Sequence, residues 1–225
     1  MHDEVGVGPH PTPWPEDDRL DPQLLATGDR RNVADRYRYW KLEAIVEDLD
    51  GRRHPFHVAV ENWEHDLNIG TVVRNANAFL AAGVHIVGRR RWNRRGAMVT
   101  DRYQHVAYHP TVEDLVEWAD GRDLPLVGID NLPGSVPLEE AGLPERCVLV
   151  FGQEGPGLSE AVRAAATARS TSSASPSATV ASRSSVAGLM VSKVRPDRGS
   201  TNSPPMKRPY SSARLTTVVD SGAGA

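Results

Sequence analysis

Cys147-Val-Leu-Val-Phe-Gly-Gln-Glu-Gly-Pro-Gly-Leu-Ser-Glu160 is the stretch that decides how this chain is read. Four apolar residues, Val148 to Phe151, stop abruptly at Gly152. A loop with Gly152, Gly155 and Gly157 set around Glu154 and Pro156 follows. Leu158 to Ala166 is then rich in strong helix formers. The order is buried strand, sharp glycine-rich turn, helix. Open α/β sheets place their ligands there, beyond the carboxyl end of a strand. Glycine leaves room for a ligand to approach the backbone. An ordinary strand-to-helix turn has the same glycine content, so this loop does not decide function alone.

Working outward, strands and helices alternate from residue 56 to 166. Phe56 to Val60 reads as a strand. Thr71 to Ala82 reads as a helix, with Val72, Val73, Ala76, Phe79 and Leu80 at helical spacing and Gly83 as its stop. Val84 to Val87, Leu124 to Ile129 and Cys147 to Phe151 read as further strands. Thr111 to Asp120 reads as a helix whose positive end is complemented by Glu113 and Asp114. This alternation predicts an α/β fold with a mostly parallel sheet covered on both faces. Upstream, Asn32 to Asp48 has a broken apolar stripe with Asn32 as a possible cap and Asp50-Gly51 as the stop. Residues 1 to about 31, rich in Pro, Asp and Gly, read as an extended, mobile arm.

The character of the chain changes near Thr167. Residues 167–225 are dominated by Ser, Ala, Thr, Pro and Arg, with no glutamate and no isoleucine. They carry eight Lys/Arg against two Asp. The rest of the chain carries 18 Lys/Arg against 27 Asp/Glu, so a tail of about +6 follows a body of about −9. The tail has no sustained apolar period and too little apolar surface to offset its ordering entropy, so disorder is expected.

Composition excludes several classes. The 225 residues suffice for one α/β domain with flanking segments. A net charge of −3 leaves no overall basic footprint, so nucleic-acid contact must come from a local patch. The single cysteine, Cys147, cannot build a disulfide framework and reads as a core residue. Met1-His-Asp-Glu4 does not open a secretory signal, and no apolar run approaches membrane-spanning length. A soluble cytoplasmic protein is expected.

A second constellation lies upstream: Asn62 and Asn68-Ile-Gly-Thr-Val-Val-Arg74. Asn68 sits where a loop meets a helix, and Arg74 lies further in. Alone, they read equally as a capping asparagine and a solvated arginine. Arg89-Arg-Arg-Trp-Asn-Arg-Arg95 adds a cationic loop with a stacking residue, suited to RNA phosphates and a splayed base. His105 and His109 have i,i+4 spacing, but a strand-like flank keeps them from sharing a helix face, so no metal site is expected. His54 and His57, flanking Pro55, read as ordinary surface or turn residues.

Taken together, the two loops resemble a family. Asn62, Asn68-Ile-Gly70, Arg74 and Ala78-Phe79 resemble the first motif of the SpoU (TrmH-like) RNA 2′-O-ribose methyltransferases. Phe151 to Ser159 resembles their second motif. The likeness covers about residues 38–166, within a methyltransferase domain read as 32–166, and includes the Gly96-Ala-Met98 region and the Leu124–Ile129 strand. It implies a doubly wound sheet of the SPOUT type, whose C-terminal segment threads into a trefoil knot. It also implies S-adenosyl-L-methionine as cofactor, tRNA or rRNA as substrate, and a homodimer.

Carried over residue by residue, Arg74 resembles the family's catalytic arginine. Asn68 would orient Arg74 or the ribose, and Glu154 would shape the active-site loop and fix Arg74 or Asn68. Gly152, Gly155, Leu158 and Ile129 would line the cofactor site. Arg89, Arg90, Arg91, Arg94 and Arg95 would contact RNA. The resemblance fails at the family's third motif, an apolar-Pro strand and a Ser-Leu-Asn-like turn. Ser170 to Ala187 holds neither that turn's asparagine nor an apolar strand. The knot-forming part is therefore expected to be absent or disordered, as a reading-frame shift near Thr167 would leave it. A vestigial or non-catalytic RNA-binding protein is the alternative reading. An unrelated phosphate-binding domain is disfavoured, because Glu154 would repel phosphate and no phosphate-loop lysine follows.

Overall fold

The computed structural model describes residues 6–64, 68–132, 135–138, 141–168, 179–181 and 214–216. The chain divides into two compact units, Met1–Arg53 and His54–Ala225.

In the first unit, residues 6–31 do not form the extended arm that composition suggested. Pro22–Thr27 is a short helix, α1, capped by the Asp21 carboxylate, which accepts from the N–H groups of Gln23 and Leu24. Val7 pairs with Asp29, and Leu20 pairs with Trp40. The organising group is Asp29, which is fully buried. Its carboxylate accepts from Arg31 Nε at 2.9 Å, from a second Arg31 nitrogen at 2.7 Å and from the Tyr39 N–H at 3.0 Å. Burial pushes its pKa up, but the Arg31 hydrogen bonds outweigh that and hold it down at about 2.

This pairing also breaks the helix expected over 32–48. Tyr39 takes φ 64°, where its N–H meets Asp29 and its carbonyl meets the Asp21 N–H. A single turn over 35–37 and a helix α2, Leu42–Asp50, remain. A long-range carboxylate has overridden local helix propensity.

The second unit carries the sheet. Its strands are β1 (His54–Asn62), β2 (Ala81–Gly88), β3 (Val106–His109), β4 (Leu126–Ile129), β5 (Ser135–Pro137) and β6 (Val148–Phe151). Five of them run parallel in the order β3-β2-β1-β6-β4. Beyond β4 the short strands β7 (Thr179–Ala181), β5 and β8 (Arg214–Thr216) extend the sheet, β8 antiparallel to both others. Three helices, α3 (Ile69–Ala78), α4 (Val112–Asp120) and α5 (Glu160–Ala168), cover it. The α/β fold with a mostly parallel sheet is as the alternation predicts. The rest of the tail, and with it the knot-forming segment, lies outside the described residues.

Strand alternation sorts the core into two layers. Val58, Val60, Val84 and Ile86 face Ile69, Val72, Val73 and Ala76 of α3. Ala59, Val87, Val148 and Val150 face Val112, Leu115 and Ala119 of α4 and Val162 of α5. α4 begins with a reciprocal cap: Thr111 Oγ1 accepts from the Asp114 N–H, and the Asp114 carboxylate accepts from the Thr111 N–H. The helix expected over 71–82 ends at Ala78. Leu80 takes φ 52°, and Ala81 already belongs to β2. Apolar spacing cannot separate a helix end from the strand that follows when both are alanine-rich.

The histidines also depart from expectation. His57 is half-buried rather than a surface turn residue, and it begins a chain of rings across three strands. His57 Nδ1 lies 3.1 Å from His85 Nε2, and His85 Nδ1 lies 2.8 Å from His109 Nε2. Trp118 of α4 covers them, its ring 4.1 Å from that of His85 and 4.9 Å from that of His57, and the Arg122 guanidinium lies over the Trp118 ring at 4.6 Å. Burial, with the Arg122 charge, pushes His57 down to about 4. Burial, with His57, His109 and Arg122, pushes His85 down to about 3. Burial also lowers His109, against the opposing pull of Asp114.

All three rings are therefore neutral in the fold. An unfolded chain takes up protons near about 6.5. Stability should then be level above pH 7 and fall as pH drops from about 6.5 toward 4. Thermal melting across this range checks it, and His85→Asn should flatten the fall. An unchanged acid limb in that variant would assign the fall to other groups.

Candidate functional site

The site lies at the carboxyl ends of the parallel strands. β1 delivers Glu61 and Asn62 to that edge, on opposite faces of the sheet. The Asn62 carboxamide donates to the carbonyl oxygens of Arg89 at 2.6 Å and Arg91 at 3.1 Å. It thereby pins the start of the arginine loop against the end of β1. α3 begins directly after Asn68. Gly70 in its first turn is required by close approach: a Cβ there would lie 2.7 Å from the Ala97 nitrogen and 2.8 Å from the Asn93 carbonyl oxygen.

The glycine-rich loop closes on itself. Gln153 N–H donates to the Gly157 carbonyl at 3.0 Å, and Gly157 N–H donates back to Gln153 at 3.1 Å. A Cβ on Gly152 would meet the Gly157 carbonyl carbon at 2.1 Å, so no other residue fits. Glu154, Gly155 and Pro156 form the exposed tip. Two carboxylates anchor the loop's far end. Asp130, just past β4, accepts from the Leu158 N–H at 2.9 Å. Glu61, fully buried, accepts from the Ser159 N–H at 2.7 Å and from Trp63 Nε1 at 2.8 Å.

The two loops are tied together. Asn68 does not cap its helix with its side chain. Instead its Nδ2 donates to Glu154 Oε2 at 2.6 Å. The Glu64 N–H donates to Gln153 Oε1 at 2.8 Å. With the Glu61–Ser159 bond, these make three links between stretches about ninety residues apart in sequence.

Arg74 is exposed on α3, six residues and so about 9 Å of helix rise beyond Asn68. No hydrogen bond or ion pair joins its guanidinium to a described residue. Ile129 is buried at the end of β4, in register with Phe151. Gly155, with φ 105°, has nothing within 4 Å of where a Cβ would stand. Leu158 is turned into the core, its N–H held by Asp130 and its carbonyl by Arg163 Nε at 3.0 Å. It supports the loop from beneath.

Arg89, Arg90, Arg91, Arg94 and Arg95 are all exposed along their loop. Arg90 lies over the Tyr108 ring at 4.8 Å, and Arg94 lies over Trp92 at 5.7 Å with Asp101 3.6 Å away. Among the described residues, no group of three or more His, Cys, Asp or Glu is arranged to hold a metal ion. No described helix is long and apolar enough to cross a membrane.

Glu61, Asp130 and Gln153 are site residues that the sequence reading did not single out. The signal was present: Glu61 and Asp130 are charged residues at the ends of otherwise apolar strands, where such sheets hold their ligands. Which main-chain donors they would meet was not visible.

A parallel sheet with two interlocked loops at its carboxyl edge defines an α/β protein. The SpoU rRNA methylase family model matches residues 55–177, which include both loops. The chain belongs to that family. Two mycobacterial proteins described as uncharacterized tRNA/rRNA methyltransferases, from Mycobacterium avium and Mycolicibacterium paratuberculosis, are each 31% identical over 134 residues. That match covers 56% of this chain and 42% of each relative, so the chain spans less than half the length of these relatives. Among solved structures, a TrmH/SpoU tRNA-modifying enzyme of A. aeolicus is 19% identical with TM-score 0.47, covering 55% of this chain and 64% of that one. The SpoU methyltransferase AviRb from Streptomyces viridochromogenes, solved with AdoMet, is 22% identical with TM-score 0.42, covering 50% of this chain and 46% of that one.

Proposed function

We propose that this chain is an S-adenosyl-L-methionine-dependent RNA methyltransferase directed at a ribose 2′-hydroxyl of tRNA or rRNA, working as a cytoplasmic homodimer. The observation that carries this reading is the 2.6 Å bond from Asn68 to Glu154, which joins the two motif loops at one edge of the sheet. It rests on membership of the family and on the match of these residues to its motifs.

The described residues fit one wall of a cofactor site. Gly155, exposed at the loop tip with nothing within 4 Å of where a Cβ would stand, gives a main-chain edge that a nucleoside can approach. Gly152 holds the loop in that shape, while Ile129 and Leu158, both buried, support it from the core. S-adenosyl-L-methionine, when bound, supplies an electrophilic methyl group.

The chain's own residues then position the acceptor. The Arg74 guanidinium keeps its proton at any physiological pH, so it does not serve as a base. Its planar donors suit bidentate binding of the phosphate beside the target ribose. They also suit stabilisation of negative charge growing on the hydroxyl oxygen. Asn68, oriented by Glu154, completes the contact to the ribose or to Arg74. Much of the acceleration in such a site comes from alignment of the two reactants.

Incubation with tritium-labelled S-adenosylmethionine and bulk tRNA or rRNA, followed by alkaline hydrolysis, tests the reading. A methylated 2′-oxygen cannot attack its own phosphodiester, so label should remain in alkali-stable dinucleotides. Label in mononucleotides would reject ribose as the acceptor. The second reading, a non-catalytic RNA-binding protein, is favoured by the missing third motif in Ser170–Ala187. Calorimetry with S-adenosylmethionine separates the two, since the second predicts no heat of binding.

A further inference from the structure

Met98 and Val99 are the only large apolar side chains strongly exposed among the described residues of the second unit, at 59% and 54%. Both have left-handed backbones, with φ 51° and 69°. A β-branched residue there is an outlier, and such strain gathers where the surrounding structure holds a residue for use. The hold is explicit. Met98 N–H donates to the Arg95 carbonyl at 3.2 Å, Thr100 Oγ1 to the Ala97 carbonyl at 2.6 Å, and Arg102 N–H to the Val99 carbonyl at 3.2 Å. Two short helical turns, Arg94–Ala97 and Thr100–Arg102, thus flank the pair and present it to solvent.

The base of this projection is fixed beside the candidate site. Ala97 is fully buried against Gly70, two residues from Asn68. Around the apolar tip stand the exposed arginines Arg94, Arg95 and Arg102, with Arg89, Arg90 and Arg91 further along the loop. The carboxylate among them is Asp101, which lies 3.6 Å from Arg94. A second copy docked face to face by two-fold symmetry would bring the same cationic surface against this one, which is costly. Two side chains also fall far short of the roughly 1,000 Å² that a stable protein contact buries. A polyanion with flat apolar faces meets both features, and that is a nucleic-acid strand.

We propose that Met98 and Val99 form an apolar wedge that enters the base stack of an RNA strand whose phosphates are held by Arg94, Arg95 and Arg102. The wedge opens the stack next to the nucleotide presented to Asn68 and Arg74. Apolar side chains unstack bases in this way where arginines hold the flanking backbone. This inference rests on the RNA methyltransferase reading above.

The test uses the full chain and an RNA stem-loop carrying 2-aminopurine, whose fluorescence rises on unstacking. Wild type should bind it and raise the fluorescence. A Met98→Asn, Val99→Gly double variant keeps residues that tolerate a left-handed backbone, so it should melt no lower than wild type. It should lose most of the fluorescence rise and bind about tenfold more weakly, with an unchanged salt slope because no arginine is altered. Arg94→Ala with Arg95→Ala should do the reverse, lowering the salt slope while keeping the rise at saturating protein.

A double tip variant that keeps the full rise overturns the wedge and leaves the RNA reading standing. If it keeps the rise and instead sediments as a smaller species than wild type, the tip is a contact between copies and the wedge is overturned. A wild-type chain that does not bind RNA overturns both.

Discussion

Arg74→Ala is expected to lower methyl transfer by at least about 10²–10³-fold, the loss typical when a charge-stabilising donor is removed. Cofactor affinity should stay near the wild-type value, because Arg74 lies about 9 Å of helix rise beyond Asn68 and is not among the residues proposed to line the cofactor site. The fold should be almost unaffected, since the side chain is exposed and no described residue pairs with it. Arg74→Lys should rescue little, because an ammonium cannot reproduce two parallel hydrogen bonds to a phosphate. Single-turnover transfer and calorimetry measure these effects. RNA binding gives a readout that needs no turnover: loss of one phosphate contact should reduce the salt slope by about one. Normal turnover with an unaltered slope would remove Arg74 from the site.

Glu61→Ala is expected to have the largest effect on stability. Glu61 is fully buried and receives the Ser159 N–H and the Trp63 indole N–H. Removing it leaves two part-buried donors without their acceptor. Each unsatisfied group costs about 1–3 kcal/mol, so a total of about 2–6 kcal/mol is expected. The cost should be local as well as global. Amide exchange should quicken through Gly152–Ser159, where the loop loses one of its two carboxylate anchors, while Asp130 keeps Leu158 in place. Glu61→Gln should fall between the two, because its oxygen accepts one donor while its amide faces the other. Urea unfolding, with amide exchange on the same variants, checks this. A Glu61→Ala chain with wild-type stability would show that these bonds contribute nothing net.

Much of this was written in short stretches of sequence. Val148 to Phe151 followed by three glycines within six residues announced a strand end and a tight glycine-rich loop beyond it. Asn68 and Glu154 were legible as partners only through likeness to a family, because nothing in either stretch points to the other. The cationic loop was legible from Arg89 to Arg95, and the structure leaves all five arginines exposed. Met98 and Val99 were not legible as a projecting pair. Their exposure depends on two flanking turns and on the Gly70–Ala97 contact beneath them.

The misreadings share a cause. Residues 6–31 looked like a loose arm because Pro, Asp and Gly avoid regular elements. They are held in a folded unit by Asp29, whose partners Arg31 and Tyr39 carry no periodic signal. His57 looked like a turn residue beside Pro55, yet strand register sets it 3.1 Å from His85.

Local chemistry alone determined the alternation of strands and helices, the glycine loop and the cationic run. Those follow from apolar period, helix propensity and the freedom of glycine, which act over a few residues. The tertiary structure decided which carboxylate meets which donor: Glu61 with Ser159, Asp130 with Leu158, Asn68 with Glu154. Those pairings depend on strand order β3-β2-β1-β6-β4, which brings the ends of β1, β4 and β6 to one edge. Strand order is a long-range packing outcome, and no local pattern encodes it.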